Sequence, residues 1–196
     1  QIIELVKDSS NIVIFGELGN GKSLMMNELL PALSVEPCDV YTLIEKSGDS
    51  ISDLEKISAS GRKSIVMIDD YESQLDLLKH FVVLAPNNIT LALSARTSDH
   101  ERLRPILGEM GFEFNEFNVD FLSPMESEQL VKILNHVGMW GEKSHLSHVR
   151  KMKYLERDNQ MQISLALLTI FESPQMLKRI KEIISDEFDD LEFKNT

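Results

Sequence analysis

The chain has 196 residues, 42% of them hydrophobic, and carries a formal net charge of −12. A chain of this length can bury a core of its own, as one large domain or two small ones. Because acidic residues outnumber basic ones and no run of Lys or Arg forms a stripe, the charge argues against nucleic acid or an anionic membrane as the main partner.

Cysteine content and hydropathy indicate the compartment. The single cysteine, Cys38, excludes an internal disulfide and fits a reducing environment, which predicts a cytoplasmic protein. No apolar stretch approaches the roughly 18 residues that a bilayer span needs, and no leader peptide opens the chain, so no membrane partner is expected. The chain begins with Gln1 rather than methionine, which suggests a piece of a longer polypeptide.

Short apolar runs alternate with helical patterns over the first part of the chain. Runs of strand length occur at residues 12–15, 40–44, 65–68 and 89–93, with a more alternating run at 112–121. Helical patterns fall between them at residues 24–33, 51–58, 74–84 and 101–110. The first four runs are apolar throughout, as in parallel strands that helices cover on both faces. The alternation predicts an α/β fold with a doubly wound parallel sheet.

The strand pattern stops after Leu122. Ser123, Pro124 and Glu126 provide an N-cap serine, a first-turn proline and a glutamate three residues after the cap, which together predict a helix start. Only helical patterns follow, at residues 126–137, 145–157, 161–171 and 174–188. The sequence therefore predicts two domains, an α/β core over residues 1–122 and a small helical subdomain over residues 123–196.

The segment GELGNGKS fits the pattern G-x-x-x-x-G-K-[ST] and lies between a predicted strand and a predicted helix. Glycines let the backbone turn tightly with its N–H groups directed inward as an anion nest. Lys22 would bring positive charge to the outer phosphates, and Ser23 would offer a hydroxyl to Mg²⁺. The predicted phosphate-binding residues are Gly16, Glu17, Leu18, Gly19, Asn20, Gly21, Lys22, Ser23 and Leu24.

Two acidic residues directly follow the apolar run at 65–68. Asp69 would hold Mg²⁺, directly or through water, as a second metal ligand beside Ser23. Asp70 would orient or polarise the attacking water, because consecutive residues that leave a strand can address the metal and the γ-phosphate separately. The alternative is a pair of turn-forming aspartates after a buried strand.

The next apolar run leads into Ser94, Ala95 and Arg96. A guanidinium at the C-terminal edge of a parallel sheet, beside a phosphate site, can sense whether a γ-phosphate is present, so Arg96 joins Lys22, Asp69 and Asp70 as a predicted catalytic residue. The alternative is a surface arginine paired with acids. Arg102 and Arg104 lie on a predicted helix, where a surface position is the simpler interpretation.

The order of GELGNGKS, IVMIDD, LALSAR and FLSPMESEQLVKIL resembles the STAND class of AAA+-related P-loop NTPases, which includes the NB-ARC and NACHT switches. HVGMWGE and the helices beyond it resemble bacterial antiviral STAND proteins. The resemblance implies a P-loop NTPase core, built as a three-layer sandwich around a parallel sheet, followed by a small helical lid. It further implies a nucleotide-operated switch that forms a homo-oligomer in the full-length protein, with effector and sensor domains outside this sequence.

The expected ligands are ATP or ADP with Mg²⁺, since no N-K-x-D element is present to select guanine. Three functions remain open. The first is an ATPase switch that turns over slowly in isolation, and the second is a module that holds nucleotide with negligible turnover. The third is an AAA+-type loader or motor on nucleic acid, which the charge disfavours. Asp70 discriminates between the first two, because a pure holder needs no acid directed at water.

Overall fold

The computed structural model describes residues 2–33, 37–44, 49–158, 161–162, 164–166, 168, 174 and 178. The chain divides into two compact units, Gln1–Val119 and Asp120–Thr196. The functional boundary after Leu122 stays a prediction. Within the described residues, no helix combines the length and apolar character that a membrane crossing requires.

The first unit contains a five-stranded sheet in which every neighbouring pair is parallel. Its strands are β1 Ile12–Phe15, β2 Asp39–Thr42, β3 Ser64–Ile68, β4 Ile89–Ala95 and β5 Asn115–Asn118. Its helices are α1 Ile2–Lys7, α2 Lys22–Leu33, α3 Ser50–Ala59, α4 Leu75–Leu84 and α5 Thr97–Glu109, with a 3₁₀ turn at Tyr71–Gln74. The strand order is β2-β3-β4-β1-β5. The predicted α/β fold with a parallel sheet is confirmed.

Two apolar layers hold the sheet, one on each face. Along β3, Val66 and Ile68 belong to a cluster with side chains of α3, α4 and α5, whereas Ile65 and Met67 belong to a cluster with α1 and α2. Successive strand residues point to opposite faces, so both sets are buried and the strand reads as a continuous apolar run. Full burial of a side chain of this size contributes about 1.5–3 kcal/mol, which makes β3 a firmly held strand.

Element boundaries differ from the predicted ones where pairing or polar composition decides them. β5 is shorter than the predicted 112–121 run because it pairs only with the four residues of β1, from Ile12↔Asn115 to Phe15↔Asn118. Phe112 instead packs into the core outside any strand. Helix α5 begins at Thr97, four residues before the predicted start, because its first turn is polar and carries no apolar periodicity. The short α1 has no predicted counterpart.

The second unit is helical where it is described. Helix α6, Pro124–His136, begins with the predicted capping box: Ser123 Oγ accepts from the Glu126 N–H at 3.2 Å, and the Glu126 carboxylate accepts from the Ser123 N–H at 2.8 Å. The predicted helix at 145–157 is instead three pieces, a 3₁₀ turn Gly141–His145, α7 His148–Lys153 and a π turn Tyr154–Asp158. Ser147 causes the break, since its Oγ caps α7 by accepting from the Arg150 N–H at 3.4 Å.

The remaining predicted helices, at residues 161–171 and 174–188, lie largely outside the described residues. The core of the second unit contains Val131, Leu134, Trp140, Leu155 and Ala166.

Candidate functional site

The glycine-rich segment at residues 16–23 leads from β1 into the first turn of α2 at the C-terminal edge of the sheet. Gly19 and Gly21 adopt φ angles of +86° and +82°, in the left-handed region that favours glycine. A Cβ built on either residue meets no atom within 4 Å, so backbone conformation rather than crowding requires glycine here. The carbonyl of Gly21 accepts from the Met25 N–H at 2.8 Å, which starts α2 directly at the end of the loop.

The side chain of Lys22 lies inside this loop. It is only 8% exposed, and its ammonium group donates to the carbonyls of Gly16 at 2.7 Å and Glu17 at 2.9 Å. The loop therefore folds around its own cation. The neighbouring Leu18 and Leu24, by contrast, expose most of their side chains, at 75% and 66%.

Ser23 and Asp69 meet although they are 46 residues apart in sequence: Ser23 Oγ donates to the Asp69 carboxylate at 2.9 Å. The hydroxyl of Ser94 on β4 donates to the other oxygen of the same carboxylate. This convergence follows from strand order, because β4 lies between β1 and β3 and brings their C-terminal ends to one edge. The structure thus places both predicted metal ligands in contact.

Three features decide the architecture: the sequence of the loop, its position between β1 and α2, and the order of the parallel strands around it. The chain has a P-loop NTPase fold. The first unit carries that fold, and residues 16–23 occupy the position of its P-loop, between β1 and α2.

Comparison with known proteins gives distant structural likenesses. No family model and no curated protein matches the sequence. The Aeropyrum pernix ORC1 protein in complex with DNA is 14% identical, with a TM-score of 0.48 over 69% of this chain and 47% of that chain. The Aeropyrum pernix ORC2 protein in ADPNP-ADP complexes is 10% identical, with a TM-score of 0.48 over 81% of this chain and 59% of that chain.

The Thermotoga maritima RuvB Holliday junction branch migration motor is 16% identical, with a TM-score of 0.46 over 88% of this chain and 56% of that chain. The aligned part of this chain therefore spans about half the length of each of these three proteins.

Asp70 departs from ordinary backbone geometry directly after the strand that carries Asp69. Its φ of 50° and ψ of 62° lie in the left-handed region, and the chain turns there from β3 into the 3₁₀ turn Tyr71–Gln74. A non-glycine residue in such a conformation costs on the order of 1–3 kcal/mol and persists where the surrounding structure enforces it. The Asp70 N–H donates to Ser94 Oγ at 3.3 Å, which is one such constraint.

Ser94 is a site residue to which the sequence analysis assigned no role. It is fully buried, and its hydroxyl contacts both the Asp69 carboxylate and the Asp70 N–H. A buried polar group needs hydrogen-bond partners. A serine near the end of an apolar run was therefore the one sequence feature that could have indicated a role for Ser94. Ser94 holds Oδ1 of Asp69, while Ser23 holds Oδ2 of the same carboxylate.

Arg96 lies at the same edge of the sheet, at the N-cap of α5 directly after β4. Its side chain is exposed, and among the described residues its guanidinium forms neither an ion pair nor a hydrogen bond. Arg102 and Arg104, in contrast, pair with Asp99 at 3.2 Å and Glu116 at 2.7 Å and remain 62% and 64% exposed. Arg96 is therefore exposed at this edge of the sheet, and its sensor role stays a prediction.

Behind the P-loop, His100 on α5 is buried with 1% exposure. Its Nδ1 lies 2.8 Å from Tyr71 Oη and its Nε2 lies 3.0 Å from the Glu116 carboxylate. Burial lowers the pKa of His100, with the nearby Arg104 acting in the same direction, while Glu116 and Glu101 oppose the shift. Desolvation is the largest cause, so the imidazole is held neutral.

The lowered pKa of His100 predicts a loss of stability on acidification. The unfolded chain binds this proton more readily than the native one, so the contribution of His100 is full above its ordinary pKa of 6.5 and falls as pH drops below it. Urea unfolding at about pH 8 and about pH 5.5 should show a larger loss of unfolding free energy for wild type than for His100→Gln. Equal losses in the two proteins would contradict the assignment.

Proposed function

We propose that this P-loop domain binds ATP or ADP with Mg²⁺ and uses slow ATP hydrolysis as a conformational switch. The observation that carries the proposal is the contact between Ser23 of the P-loop helix and Asp69 at the end of β3, at 2.9 Å. A P-loop NTPase holds its metal between a hydroxyl and a carboxylate at these two positions.

The loop fits a polyphosphate in both shape and charge. Left-handed Gly19 and Gly21 let successive N–H groups turn toward one centre, and the first turn of α2 adds its partial positive charge. Lys22 holds its ammonium against two loop carbonyls, contacts that an anionic phosphate can replace with a stronger charge-assisted interaction. The P-loop thus keeps a cation in place before any ligand arrives.

The residues around Asp69 fit Mg²⁺. Hydroxyl and carboxylate oxygens are its preferred ligands, and the ion commonly takes one or two from protein and the rest from phosphate and water. Within the described part of the chain, no group of three or more His, Cys, Asp or Glu could hold a metal, so a site shared with nucleotide phosphates is the fitting type. Bound there, the ion would neutralise charge on the phosphates.

For hydrolysis, Asp70 would orient the attacking water and Arg96 would contact the γ-phosphate. Asp70 follows Asp69 but adopts a left-handed backbone conformation, so the chain leaves the strand direction between the two acids. Arg96 lies at the end of β4, between the strands that carry the P-loop and the two acids. A holding module with negligible turnover remains the second candidate, in which Asp70 has no water to activate.

The larger setting that we propose is a STAND-type switch and oligomerisation domain of a cytoplasmic antiviral protein. The order of the sequence motifs supports this proposal, and the flanking domains would define the context. The net charge of −12 supports protein partners over nucleic acid. An AAA+-type loader or motor on nucleic acid is the alternative, and strong salt-dependent DNA binding by this chain would favour it.

Thermal unfolding with added nucleotide tests the proposal. Mg²⁺-ATP and Mg²⁺-ADP should each stabilise the protein, by about 2.7 kcal/mol at a concentration 100 times the Kd. GTP should stabilise it less, and phosphate release should stay well under about one ATP per minute, as for P-loop switches without a partner's arginine. No stabilisation by millimolar ATP or ADP would overturn nucleotide binding, and stabilisation without any phosphate release would favour the holding module.

A further inference from the structure

His100 connects the segments that carry the candidate site. Its ring packs against Phe15, the last residue before the P-loop, with centroids 4.5 Å apart and the ring planes tilted by 33°. Its Nδ1 contacts the hydroxyl of Tyr71, the residue after Asp70. The backbone N–H of His100 donates to the backbone carbonyl of Arg96 at 2.9 Å. From α5, whose N-cap is Arg96, this buried side chain thus contacts both the strand before the P-loop and the turn after the two acids.

The hydrogen bonds of His100 have a defined direction. The Glu116 carboxylate accepts from Arg104 at 2.7 Å and can only accept, so His100 Nε2 must carry the hydrogen that joins it to Glu116. In a neutral ring Nδ1 is then an acceptor, and Tyr71 donates its O–H to it. In this arrangement Tyr71 Oη, both ring nitrogens of His100 and Glu116 Oε1 each have a hydrogen-bond partner.

Tyr71 matters because of the residue before it. Asp70 has a φ of 50°, a conformation that needs external support, and Tyr71 is fully buried with its hydroxyl held by His100. The Ser94 hydroxyl supports Asp70 from the strand side at 3.3 Å. Tyr71 and His100 supply the support from the helix side.

We propose that His100 is a positioning residue for hydrolysis: by accepting the hydrogen bond from Tyr71 it fixes the turn at residues 69–71 and with it the left-handed backbone that directs Asp70. The inference rests on the proposed role of Asp70. His100 itself contacts no nucleotide in this scheme. Its loss should therefore affect turnover rather than nucleotide affinity.

Two amide substitutions separate the bonds of His100. In His100→Asn the side-chain oxygen can take the place of Nδ1 and keep the Tyr71 bond, whereas in His100→Gln the longer amide can take the place of Nε2 and keep only the Glu116 bond. Tyr71→Phe removes the same bond from the other side. His80→Gln is the matched control, since His80 on α4 pairs with Glu55 at 2.9 Å and, among the described residues, does not contact the site.

The expected result is a split between rate and affinity. His100→Gln and Tyr71→Phe should lower kcat for ATP by about tenfold, the effect of one lost hydrogen bond, with the Kd for ADP within about twofold of wild type. His100→Asn should retain most of kcat, and His80→Gln all of it. Equal losses in the Asn and Gln variants, or parallel losses of affinity, would overturn the positioning role.

Amide hydrogen exchange tests the same inference without nucleotide. In His100→Gln and Tyr71→Phe, exchange over residues 69–75 should rise about tenfold relative to residues 89–95 of β4 in the same sample, with a smaller rise in His100→Asn. An unchanged 69–75 segment, or an equal rise in both segments, would overturn the inference. Failure of the wild-type protein to bind ADP would instead overturn the proposed function. The hydrogen-exchange experiment contains no nucleotide, so its outcome does not depend on that result.

Discussion

Replacing Lys22 with alanine is expected to abolish the stabilisation of this protein by ATP and ADP. In the folded chain the Lys22 ammonium is held within the P-loop by the carbonyls of Gly16 and Glu17, where incoming phosphate would meet it. Its removal takes away the only side-chain cation of the P-loop itself, so the stabilisation of about 2.7 kcal/mol expected at 100 times the Kd should vanish. Thermal unfolding with and without nucleotide measures this directly.

The fold itself should survive the substitution. Glu17 is exposed, so water can enter beside the loop and hydrogen-bond the two released carbonyls, which limits the cost to about 1 kcal/mol. Lys79→Ala is the matched control, because Lys79 is an exposed lysine of α4 that pairs with Asp76 at 3.1 Å. If Lys22→Ala keeps the full nucleotide effect, or Lys79→Ala loses it, the phosphate site has been placed wrongly.

The second large effect separates the two acids that follow β3. Asp69→Ala should remove the Mg²⁺ dependence of ATP binding, because it deletes a predicted metal ligand and leaves the hydroxyls of Ser23 and Ser94 without their common acceptor. Substitution of Asp70 should preserve ATP binding and lower hydrolysis by about 10²- to 10⁴-fold, the usual contribution of a general base. Calorimetry with and without Mg²⁺, combined with phosphate release, distinguishes the two.

The choice of substitution at Asp70 matters because of its backbone. Asparagine tolerates the left-handed conformation and removes only the charge, whereas alanine adds strain at a φ of 50°. Asp70→Asn is therefore the informative variant, and Asp70→Gly controls for relief of backbone strain. Equal losses of ATP binding in the Asp69 and Asp70 variants would contradict the division of labour between metal and water.

Local sequence was sufficient to predict the elements that carry the site. The P-loop follows from the pattern of glycines, Lys22 and Ser23, because the left-handed φ angles of Gly19 and Gly21 are a property of the residues themselves. The start of α6 at Pro124 follows from the Ser123 capping box, which is complete within four residues. Where residues close in sequence decide the backbone conformation, that conformation can be predicted from the sequence alone.

The parts that could not be predicted depend on partners remote in sequence. The length of β1 sets the extent of β5, and the residues of the 112–121 run do not themselves indicate where that pairing ends. The break in the predicted 145–157 helix reflects competition between the Ser147 cap and continued helix, and local periodicity does not resolve such a competition. The role of Ser94 was missed because a single serine in an apolar strand has many explanations until its partners are known.

The sequence by itself therefore determined the class of fold and the position of the glycine-rich loop, since hydrophobic periodicity and glycine spacing act over a few residues. Only the tertiary structure decided which side chains meet. The insertion of β4 between β1 and β3 brings Ser94 to Asp69, and the packing of α5 against the sheet joins His100 to Tyr71 and Glu116. Strand order arises from the packing of the whole core, so contacts of this kind are a property of the folded chain rather than of any segment of it.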